Sequence, residues 1–592
     1  MTQQYSERAL ALFSDLVRFE VLTSGARPHV LITLVAALLY GQTLFFTEYT
    51  YLDDHLLIVS NQPFISDLSN IVNAFREDVF HFHQGGSYYR PILTLTFMLD
   101  AQISGPNPLM YRITNILLHM IASLLLFKFL ETLQCRRLLA LFLTLVFVAH
   151  PVLTQAVAWI PGRNDALLSV FMLPAFFAFR SYFLSPNAKL YFVHLLWFTL
   201  ALLTKESAVV LPVLCLFFLL LNRRENFFSL GTIMFLSGWG VLIINWHLLR
   251  KGAAIMGMGD PLYIVATVVE NSWIFLVYLG KILWPFALGV RPVAADLSLL
   301  PGLIAAAGLA IFVGASEKRD WRLILFGLAW YVLLLAPTLY HDVAVRNPLK
   351  FYEHRLYLPM MGLFMVFFSA EPATWLQTPR MFFRPMGVGL LAIFSFMTFD
   401  HTRTFEDSLS FAENAAKTSP SDKSNHNNIK MMLWTGMLAR TASEMAGQTT
   451  DGTLNYNQYK ELRRTLELAV EENPSDGEAR QTLAIAYFGL GYLKSSETEF
   501  RESIRISPQS VDAMYNLGVL YSRAYSEQRA EAQWLQVLDL QPTHADAHNN
   551  LCYLYYRWKN YERSLTHCNE AMKYGAAVSS ELMQEVLAGL EE

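Results

Sequence analysis

The sequence predicts an all-α protein in which a polytopic membrane domain is followed by a water-soluble helical solenoid. Of its 592 residues, 54% are hydrophobic, and long apolar runs are confined to the first 400. Residues 1–400 carry 50 Asp, Glu, Lys and Arg, whereas residues 401–592 carry 44, so the second segment is about twice as charged per residue. Proline also recurs at a fixed spacing near the carboxyl end. This asymmetry is typical of a membrane domain joined to a soluble one.

The chain divides into four predicted segments. Residues 1–27 contain the amphipathic stretch SERALALFSDLVRFEVL, which predicts a cytoplasmic helix on the membrane surface. Residues 28–400 form the membrane domain, which includes an extracytoplasmic loop at 48–109. Residues 401–457 are interpreted as a linker with irregular helices, and residues 458–592 as the solenoid.

About eleven segments of the membrane domain are apolar enough to cross a bilayer. They lie near residues 28–47, 110–131, 136–150, 165–183, 190–204, 207–221, 228–248, 298–315, 322–340, 356–371 and 386–400. The segment 262–286 is also apolar but carries Glu270, Asn271 and Lys281, which leaves two interpretations open. It is either a twelfth span or, as we favour, a helix that lies in the membrane interface.

The orientation of the spans follows from the basic residues in alternate loops. The predicted cytoplasmic loops carry Arg and Lys at positions 136, 137, 180, 189, 223, 224, 318, 319, 322, 380 and 384. This alternation stays in phase only if residues 262–286 do not cross. The amino terminus is then cytoplasmic, and the acidic pair Asp53–Asp54 and the solenoid are extracytoplasmic.

Charged side chains cluster at the predicted extracytoplasmic ends of the spans, where desolvation makes an unpaired charge unfavourable. The acidic pair follows the first span, and basic residues lie beside acidic ones in later loops. The candidate site residues are Asp53, Asp54, Arg90, His150, Arg163, Asp165, Lys205, Glu206, Glu353, His354 and Arg355. Two plainer interpretations stay open: solvated loop charges, and a helix N-cap at Asp53 or Asp54.

The carboxyl-terminal segment contains a repeat of 34 residues. Its equivalent positions are Pro474, Pro508 and Pro542, then Leu483, Leu517 and Leu551, then Tyr487, Tyr521 and Tyr555. This period resembles the tetratricopeptide repeat, a helical hairpin whose stacked copies share a core. Such arrays bind peptides or partner proteins, and a rigid spacer is the alternative.

Composition excludes several functional classes. The net charge of −4 gives no basis for nucleic-acid binding. The acidic pair has no third acidic ligand nearby, so we predict neither a metal nor another cofactor, although a divalent cation would suit a carboxylate pair. Cys552 and Cys568 fall in one predicted hairpin, where two interpretations stay open: a disulfide and, as we favour, two buried thiols.

Six stretches, taken in order, resemble one family of membrane enzymes. They are YLDDHLLIVSN, SYYRPILTLTFMLD, PLMYRITNILLH, HPVLTQAVAWIPGRNDALLS, LALLTKESAVVLP and FYEHRLYLPMMG. Followed by tetratricopeptide repeats, they resemble the TMTC family of O-mannosyltransferases and, more distantly, protein O-mannosyltransferases of the GT-C fold. The chain departs from the family pattern at Gln155, where an acid is usual.

The resemblance implies a glycosyltransferase whose donor is a sugar on a polyprenyl phosphate. By this resemblance Asp53 is the catalytic base, Asp54 supports it, and the site cations contact the donor phosphate. Ser or Thr hydroxyls of an extracytoplasmic protein would be the acceptor, selected by the repeats. The short loops and few repeats favour a bacterial inner-membrane protein with its site in the periplasm.

Two other functions stay open at this stage. One is a GT-C enzyme that modifies lipid A or a cell-wall glycan, and the other is a non-enzymatic transporter or scaffold with a docking arm of repeats. A transporter would more often show two related halves. The sequence does not identify the sugar, the acceptor or the oligomeric state.

Overall fold

The computed structural model describes residues 23–50, 53–81, 88–252, 261–286, 288–339, 351–371, 380–421, 473–524 and 526–591, with a few helical positions between 463 and 470. The chain forms two compact units, Met1–Ser419 and Pro420–Glu592. Most of the predicted surface stretch 1–27, the linker residues 422–457 and most of the first predicted repeat helix lie outside the described residues.

The described part of the first unit is helical, as predicted, and we number its longer helices in chain order. They are α1 (Arg27–Tyr40), α2 (Pro91–Ser104), α3 (Leu109–Thr132), α4 (Arg137–Ala149), α5 (Arg163–Tyr182), α6 (Ala188–Leu202), α7 (Leu211–Asn222), α8 (Leu230–Gly252), α9 (Pro261–Glu270), α10 (Ile274–Leu283), α11 (Leu300–Ala315), α12 (Trp321–Leu335), α13 (Pro359–Phe368), α14 (Arg380–Thr402) and α15 (Ser408–Thr418). Shorter helical turns join several of them.

Each of the eleven predicted spans overlaps one of these helices. Among the described residues, five helical segments are long and apolar enough to cross a membrane by themselves. A sixth results if α4 and the short helix after it count as one span, bent by 54° where Pro151 interrupts the helix. The structure therefore supports a polytopic membrane domain, and the number eleven stays a prediction.

The apolar segment 262–286 forms two helices rather than one. Helices α9 and α10 have 10 residues each and are separated by a turn at residues 271–273. A helix of 10 residues is about 15 Å long, roughly half the thickness of the hydrocarbon core. Neither helix alone crosses a bilayer, and the interfacial placement of the segment stays a prediction.

Small residues bring neighbouring helices of the bundle together. Helices α12 and α13 touch at Gly327 and Gly362, where an added Cβ on either residue would lie 2.4 Å from the carbonyl oxygen of the other. Such close backbone contact is a common way to pack membrane helices, because lipid offers little hydrophobic drive for their association. The aromatic core beside this contact includes Phe129, Phe176 and Trp330.

The segment between α1 and α3 forms a small helical cap with its own core. Single-turn helices at Gln62–Ile65 and Ile71–Ala74 precede α2. Buried Leu57, Ile65 and Phe97 pack together within this cap. The packing fixes the start of the cap, which carries the acidic pair, against the membrane helices.

Residues just after α14, which we assigned to a linker from the sequence, pack within the first unit. Phe405 and Phe411 are buried with Trp159 and Val290 in one apolar cluster. Helix α15 begins at an N-cap, Asp407, whose carboxylate accepts a hydrogen bond from Ser410 N at 2.7 Å. This segment therefore closes over the helices that carry the candidate site.

Two short strands join loops at the end of the bundle where α12 begins and α13 ends. Strand β1 (Lys318–Arg319) pairs antiparallel with β2 (Ala370–Glu371). The first strand precedes α12 and the second follows α13, so the pairing holds the start of one helix beside the end of the other.

The described part of the second unit consists of stacked helical hairpins, which confirms the predicted tetratricopeptide architecture. Its helices are α16 (Gly477–Gly489), α17 (Leu493–Ile506), α18 (Val511–Arg523), α19 (Glu527–Leu540), α20 (Ala545–Arg557), α21 (Tyr561–Lys573) and α22 (Ser580–Glu591). The three hairpins start 34 residues apart. Leu483, Leu517 and Leu551 are buried at equivalent positions, as the repeat predicts.

The expectation of two free thiols in the last hairpin is wrong. Cys552 on α20 and Cys568 on α21 form a disulfide, with their Cα atoms 4.9 Å apart. The sequence spacing places the two residues on facing helices, and the stacking of the hairpin then brings their sulfur atoms into bonding distance.

Candidate active site

The acidic pair lies directly after the first membrane helix, and its two carboxylates have different surroundings. Asp54 is buried and accepts hydrogen bonds from the backbone N of Thr50 at 2.9 Å and from its hydroxyl. These bonds run back to the preceding turn, so the described contacts of Asp54 are not those of an N-cap. Burial raises the pKa of Asp54 to about 7, against the lowering effects of Thr50 and Arg112.

Asp53 is partly exposed and faces a group of cations. Burial raises the pKa of its carboxyl, and the positive charges of Arg90 and Arg291 oppose that effect. Burial raises the pKa of Tyr352 to about 12, with smaller electrostatic effects from Asp53, Arg291 and Arg355. The carboxylate that reaches the polar space of the site is therefore Asp53.

Arg90 is held in place by two contacts. Its guanidinium donates to Glu206 Oε2 from Nη2 at 3.0 Å and from Nε at 3.3 Å. The same group stacks over the ring of Tyr88, 4.4 Å from the ring centroid. Pro91 begins α2 directly after Arg90, which fixes the backbone at this point.

A second ion pair joins Lys205 to Asp165. The Nζ of Lys205 donates to Asp165 Oδ1 at 2.6 Å and to Asn164 Oδ1 at 3.1 Å. Asp165 Oδ2 lies 3.9 Å from His354 Nε2 and has no hydrogen-bond partner among the described residues. Burial first, and then the cations Lys205, Arg355 and Arg90, lower the pKa of His354 well below its usual range. The imidazole is therefore neutral.

Gln155 connects three segments of the site. Its Oε1 accepts hydrogen bonds from Glu353 N at 2.9 Å, His354 N at 3.2 Å and His354 Nδ1 at 3.1 Å. Its Nε2 donates to Val290 O at 2.8 Å, next to Arg291. A carboxylate could accept the first three bonds but could not make the fourth unless protonated, so the amide suits this position.

Arg355 lies beside the same group of residues. Its Nη1 donates to Thr338 O at 3.0 Å, and its guanidinium lies 5.3 Å from the centroid of the Tyr352 ring. The electrostatic neighbours of His354 include both Arg355 and Lys205. The structure thus brings Asp53, Arg90, Asp165, Lys205, Glu206, His354 and Arg355 into one polar region.

Three other predicted residues occupy buried positions with their own partners. Arg163 is fully buried and donates to Asp100 Oδ2 at 2.6 Å, Asn115 Oδ1 at 2.7 Å and Tyr111 O at 2.6 Å. His150 Nε2 lies 2.8 Å from Ile282 O, deep in the bundle. Glu353 is buried, pairs with Lys281 and accepts from Gly289 N at 2.9 Å.

Sequence reasoning missed several residues that the structure places at or under the site. Arg291 faces Asp53, and Asp100, Arg112, Lys281 and Tyr352 support its surroundings. The only sequence signal for Arg291 is the dipeptide Arg291–Pro292, which repeats the Arg90–Pro91 pattern at another boundary of an apolar segment. Charge spacing within one loop carries no signal for contacts between distant loops.

No group of three or more His, Cys, Asp or Glu side chains is arranged to hold a metal ion in the described parts of the chain. The absence of a metal cofactor stays a prediction.

Comparison with known proteins gives one consistent family of relatives. No family model matches the chain. The chain is 31% identical over 167 residues to protein O-mannosyl-transferase Tmtc1 of Drosophila melanogaster, covering 28% of this chain and 19% of that protein. It is 32% identical over 152 residues to human TMTC1, covering 23% of this chain and 17% of that protein. It is 28% identical over 203 residues to F38B6.6 of Caenorhabditis elegans, covering 33% and 29%.

These matches span less than a third of the length of each relative. Among solved structures, the tetratricopeptide protein TTC0263 of Thermus thermophilus matches 35% of this chain and 97% of its own, at 20% identity and a TM-score of 0.22. A crystal structure of MamA matches 31% of this chain and 90% of its own, at 17% identity and a TM-score of 0.19. The resemblance inferred from the motifs is confirmed: the chain is similar over part of its length to the TMTC protein O-mannosyl-transferases.

Proposed function

We propose that this chain is a membrane glycosyltransferase that moves a sugar from a polyprenyl-phosphate donor to Ser or Thr hydroxyls of protein. The observation that carries the proposal is the environment of Asp53. A partly exposed carboxylate follows the first membrane helix and faces Arg90 and Arg291. A base beside fixed cations suits a reaction in which a hydroxyl loses its proton and a phosphate gains charge.

The proposed reaction is a single displacement. Asp53 accepts the proton of the acceptor hydroxyl as its oxygen attacks the anomeric carbon of the sugar. The new carbon–oxygen bond forms while the bond from that carbon to the phosphate oxygen breaks, and the lipid phosphate leaves with the electron pair. This route inverts the anomeric centre, and the proton ends on Asp53.

We assign the donor phosphate to Arg90, Lys205 and Arg355, with Arg291 as an addition that the sequence did not suggest. The first two cations are already held by Glu206 and Asp165, so they need little reorganisation when the donor binds. Arg163 is left out of this group because its donors are taken by Asp100, Asn115 and Tyr111.

We assign a hydroxyl of the donor sugar to His354 and Asp165. Gln155 Oε1 accepts from His354 Nδ1, so the neutral ring carries its proton there and its Nε2 is an acceptor. Asp165 Oδ2 is a second buried acceptor, 3.9 Å away. Two adjacent acceptors fit the hydroxyl donors of a sugar, and the names of the relatives make mannose the first sugar to test.

The second unit is proposed to select the protein acceptor and to lie outside the cytoplasm. Disulfides persist mainly in oxidising compartments, so the Cys552–Cys568 bond supports an extracytoplasmic location, which for a bacterial inner-membrane protein is the periplasm. The similarity to protein O-mannosyl-transferases favours a protein acceptor over lipid A or a cell-wall glycan, and an enzyme over a transporter.

The full chain in lipid nanodiscs tests the proposal directly. Purified protein is incubated with polyprenyl-phosphate mannose labelled in the sugar and with a panel of Ser- and Thr-containing extracytoplasmic proteins. We expect label on protein, and intact-mass analysis should show one added hexose per site. Inserted, folded protein that transfers no sugar from any polyprenyl-phosphate donor would contradict the proposal.

A further inference from the structure

A polar cavity lies at the end of the bundle opposite the candidate active site. It has a volume of about 730 Å³ and lies where α3, α5 and α7 end and where α12 begins. Helix α5 separates the two places, because it starts at Arg163 beside the candidate site and ends at Tyr182 beside this cavity. Its 20 residues span about 30 Å. We name this space the basic cavity.

Positive charge predominates in the lining of the basic cavity. Five of its lining residues are cations, namely Arg136, Arg180, Arg223, Lys318 and Arg319. Asp320 is the single acid among the lining residues that the structure describes, and its Oδ1 caps α12 by accepting from the backbone N of Arg322 at 3.0 Å. The lining therefore carries five formal positive charges against one negative charge.

Two of the cations line the same cavity and repel each other. Arg180 and Arg223, at the ends of α5 and α7, are close enough for electrostatic repulsion. The carboxylate of Glu131, at the end of α3, pairs with Lys128 and Arg137 instead. Within the described ranges neither Arg180 nor Arg223 forms an ion pair with an acidic side chain. Bound negative charge between the two guanidinium groups would relieve this repulsion.

The rest of the lining is suited to a lipid. Leu133, Phe183, Phe218, Leu323 and Phe368 supply apolar surface beside the cations. These residues stand at the ends of membrane helices, where headgroups and acyl chains of the bilayer meet. The pairing of β1 with β2 holds Lys318 and Arg319 at the rim. Basic pockets between membrane helices on the cytoplasmic side commonly bind acidic lipid headgroups.

We propose that the basic cavity binds the phosphate-bearing headgroup of an anionic phospholipid. The volume accommodates a glycerophosphate group, the five cations match its charge, and the apolar lining continues toward the acyl chains. This site does not depend on the proposed glycosyl transfer, and its occupant is a structural lipid rather than a sugar donor.

Native mass spectrometry of the full, delipidated chain tests the proposal. The protein is titrated with phosphatidylglycerol or, in parallel, with phosphatidylcholine. We expect one phosphatidylglycerol to be retained, at roughly tenfold lower concentration than phosphatidylcholine, and to resist a large excess of inorganic phosphate. The double variant Arg180→Gln/Arg223→Gln should lose this preference. Arg224→Gln, an exposed neighbour outside the lining, should keep it.

Three results would overturn the proposal. They are equal retention of the two lipids by the native chain, unchanged retention by the double variant, and displacement of the lipid by inorganic phosphate, which would indicate a free-anion site. Should the double variant fail to insert, Lys318→Gln replaces it, because that side chain is exposed on a short strand. We expect it to weaken phosphatidylglycerol retention about threefold, and retention equal to the native chain also overturns the assignment.

Discussion

Replacing Asp53 by asparagine tests its role as the base, since the amide keeps the size of the side chain and cannot accept the hydroxyl proton. Loss of a general base typically slows a reaction by roughly 10²–10⁴-fold. Asp53 is partly exposed, and its charge acts on Arg90 and on the buried Arg291, so the substitution removes one negative charge from the neighbourhood of both cations. We therefore expect folded, inserted Asp53→Asn protein with glycosyl transfer reduced within that range.

Asp54→Asn is the matched control for this change. Burial raises the pKa of Asp54 to about 7, so the neutral carboxyl is accessible to the folded chain near neutral pH. The substitution then imitates a state that the native chain populates, and Asn Oδ1 can still accept from Thr50 N. We expect transfer at pH 7 to fall by less than about tenfold.

The assay uses full-length proteins in nanodiscs, labelled polyprenyl-phosphate mannose and one acceptor protein, with insertion checked by size-exclusion chromatography. The ratio of the transfer rates of the two variants decides whether Asp53 is the base. Full activity of Asp53→Asn, or a larger loss in Asp54→Asn than in Asp53→Asn, refutes the assignment of the base to Asp53. Full activity of the double variant refutes this displacement mechanism for the chain.

Four further outcomes are expected. Burial raises the pKa of Asp54 to about 7, so the contribution of this carboxyl to stability is complete below about pH 4 and is lost as pH rises through about 7. The melting temperature of Asp54→Asn should therefore vary less between about pH 5 and 8 than that of the native chain. Gln155→Glu loses the hydrogen bond to Val290 O, and we expect it to lower the free energy of unfolding by roughly 1–3 kcal/mol in denaturant titrations. An unchanged free energy of unfolding would contradict the bridging role of Gln155. Deleting residues 458–592 should weaken transfer to protein, while slow hydrolysis of the lipid-linked sugar persists. Arg355→Ala should impair both transfer and hydrolysis. Loss of hydrolysis from an inserted truncated protein would place the repeats in the active site. Single cysteines at positions 162 and 223, in a chain without native cysteines, should label from outside and from inside respectively, and the reverse result contradicts the orientation.

Much of the fold follows from periodic sequence signals. The 34-residue repeat predicted the three hairpins because each position of the repeat has the same packing role, as at Leu483, Leu517 and Leu551. Apolar runs predicted the helices of the membrane unit, since every backbone polar group in a bilayer needs an internal partner. The polar residues Glu270 and Asn271 stand at the break at residues 271–273, but the apolar runs on both sides predicted one segment over 262–286.

The candidate site was only partly predictable, for a physical reason. Charge at the ends of spans indicated Asp53 and Lys205, since an unpaired charge there is unfavourable. The partners of those charges depend on which loops meet, and this is settled by tertiary packing. Arg163 therefore pairs with Asp100 rather than within its own loop, and Arg291 reaches Asp53 from a distant segment.

The departure at Gln155 shows how such a site can be built without an acid at that position. Its amide oxygen collects three donors from Glu353 and His354, and its amide nitrogen reaches Val290 O. The bond to Val290 fixes the backbone just before Arg291, which faces Asp53. A neutral bridge adds no negative charge beside the cations assigned to the donor phosphate. Since those cations bind an anion in the proposed mechanism, an amide at position 155 preserves more of their positive potential than an ionised acid would.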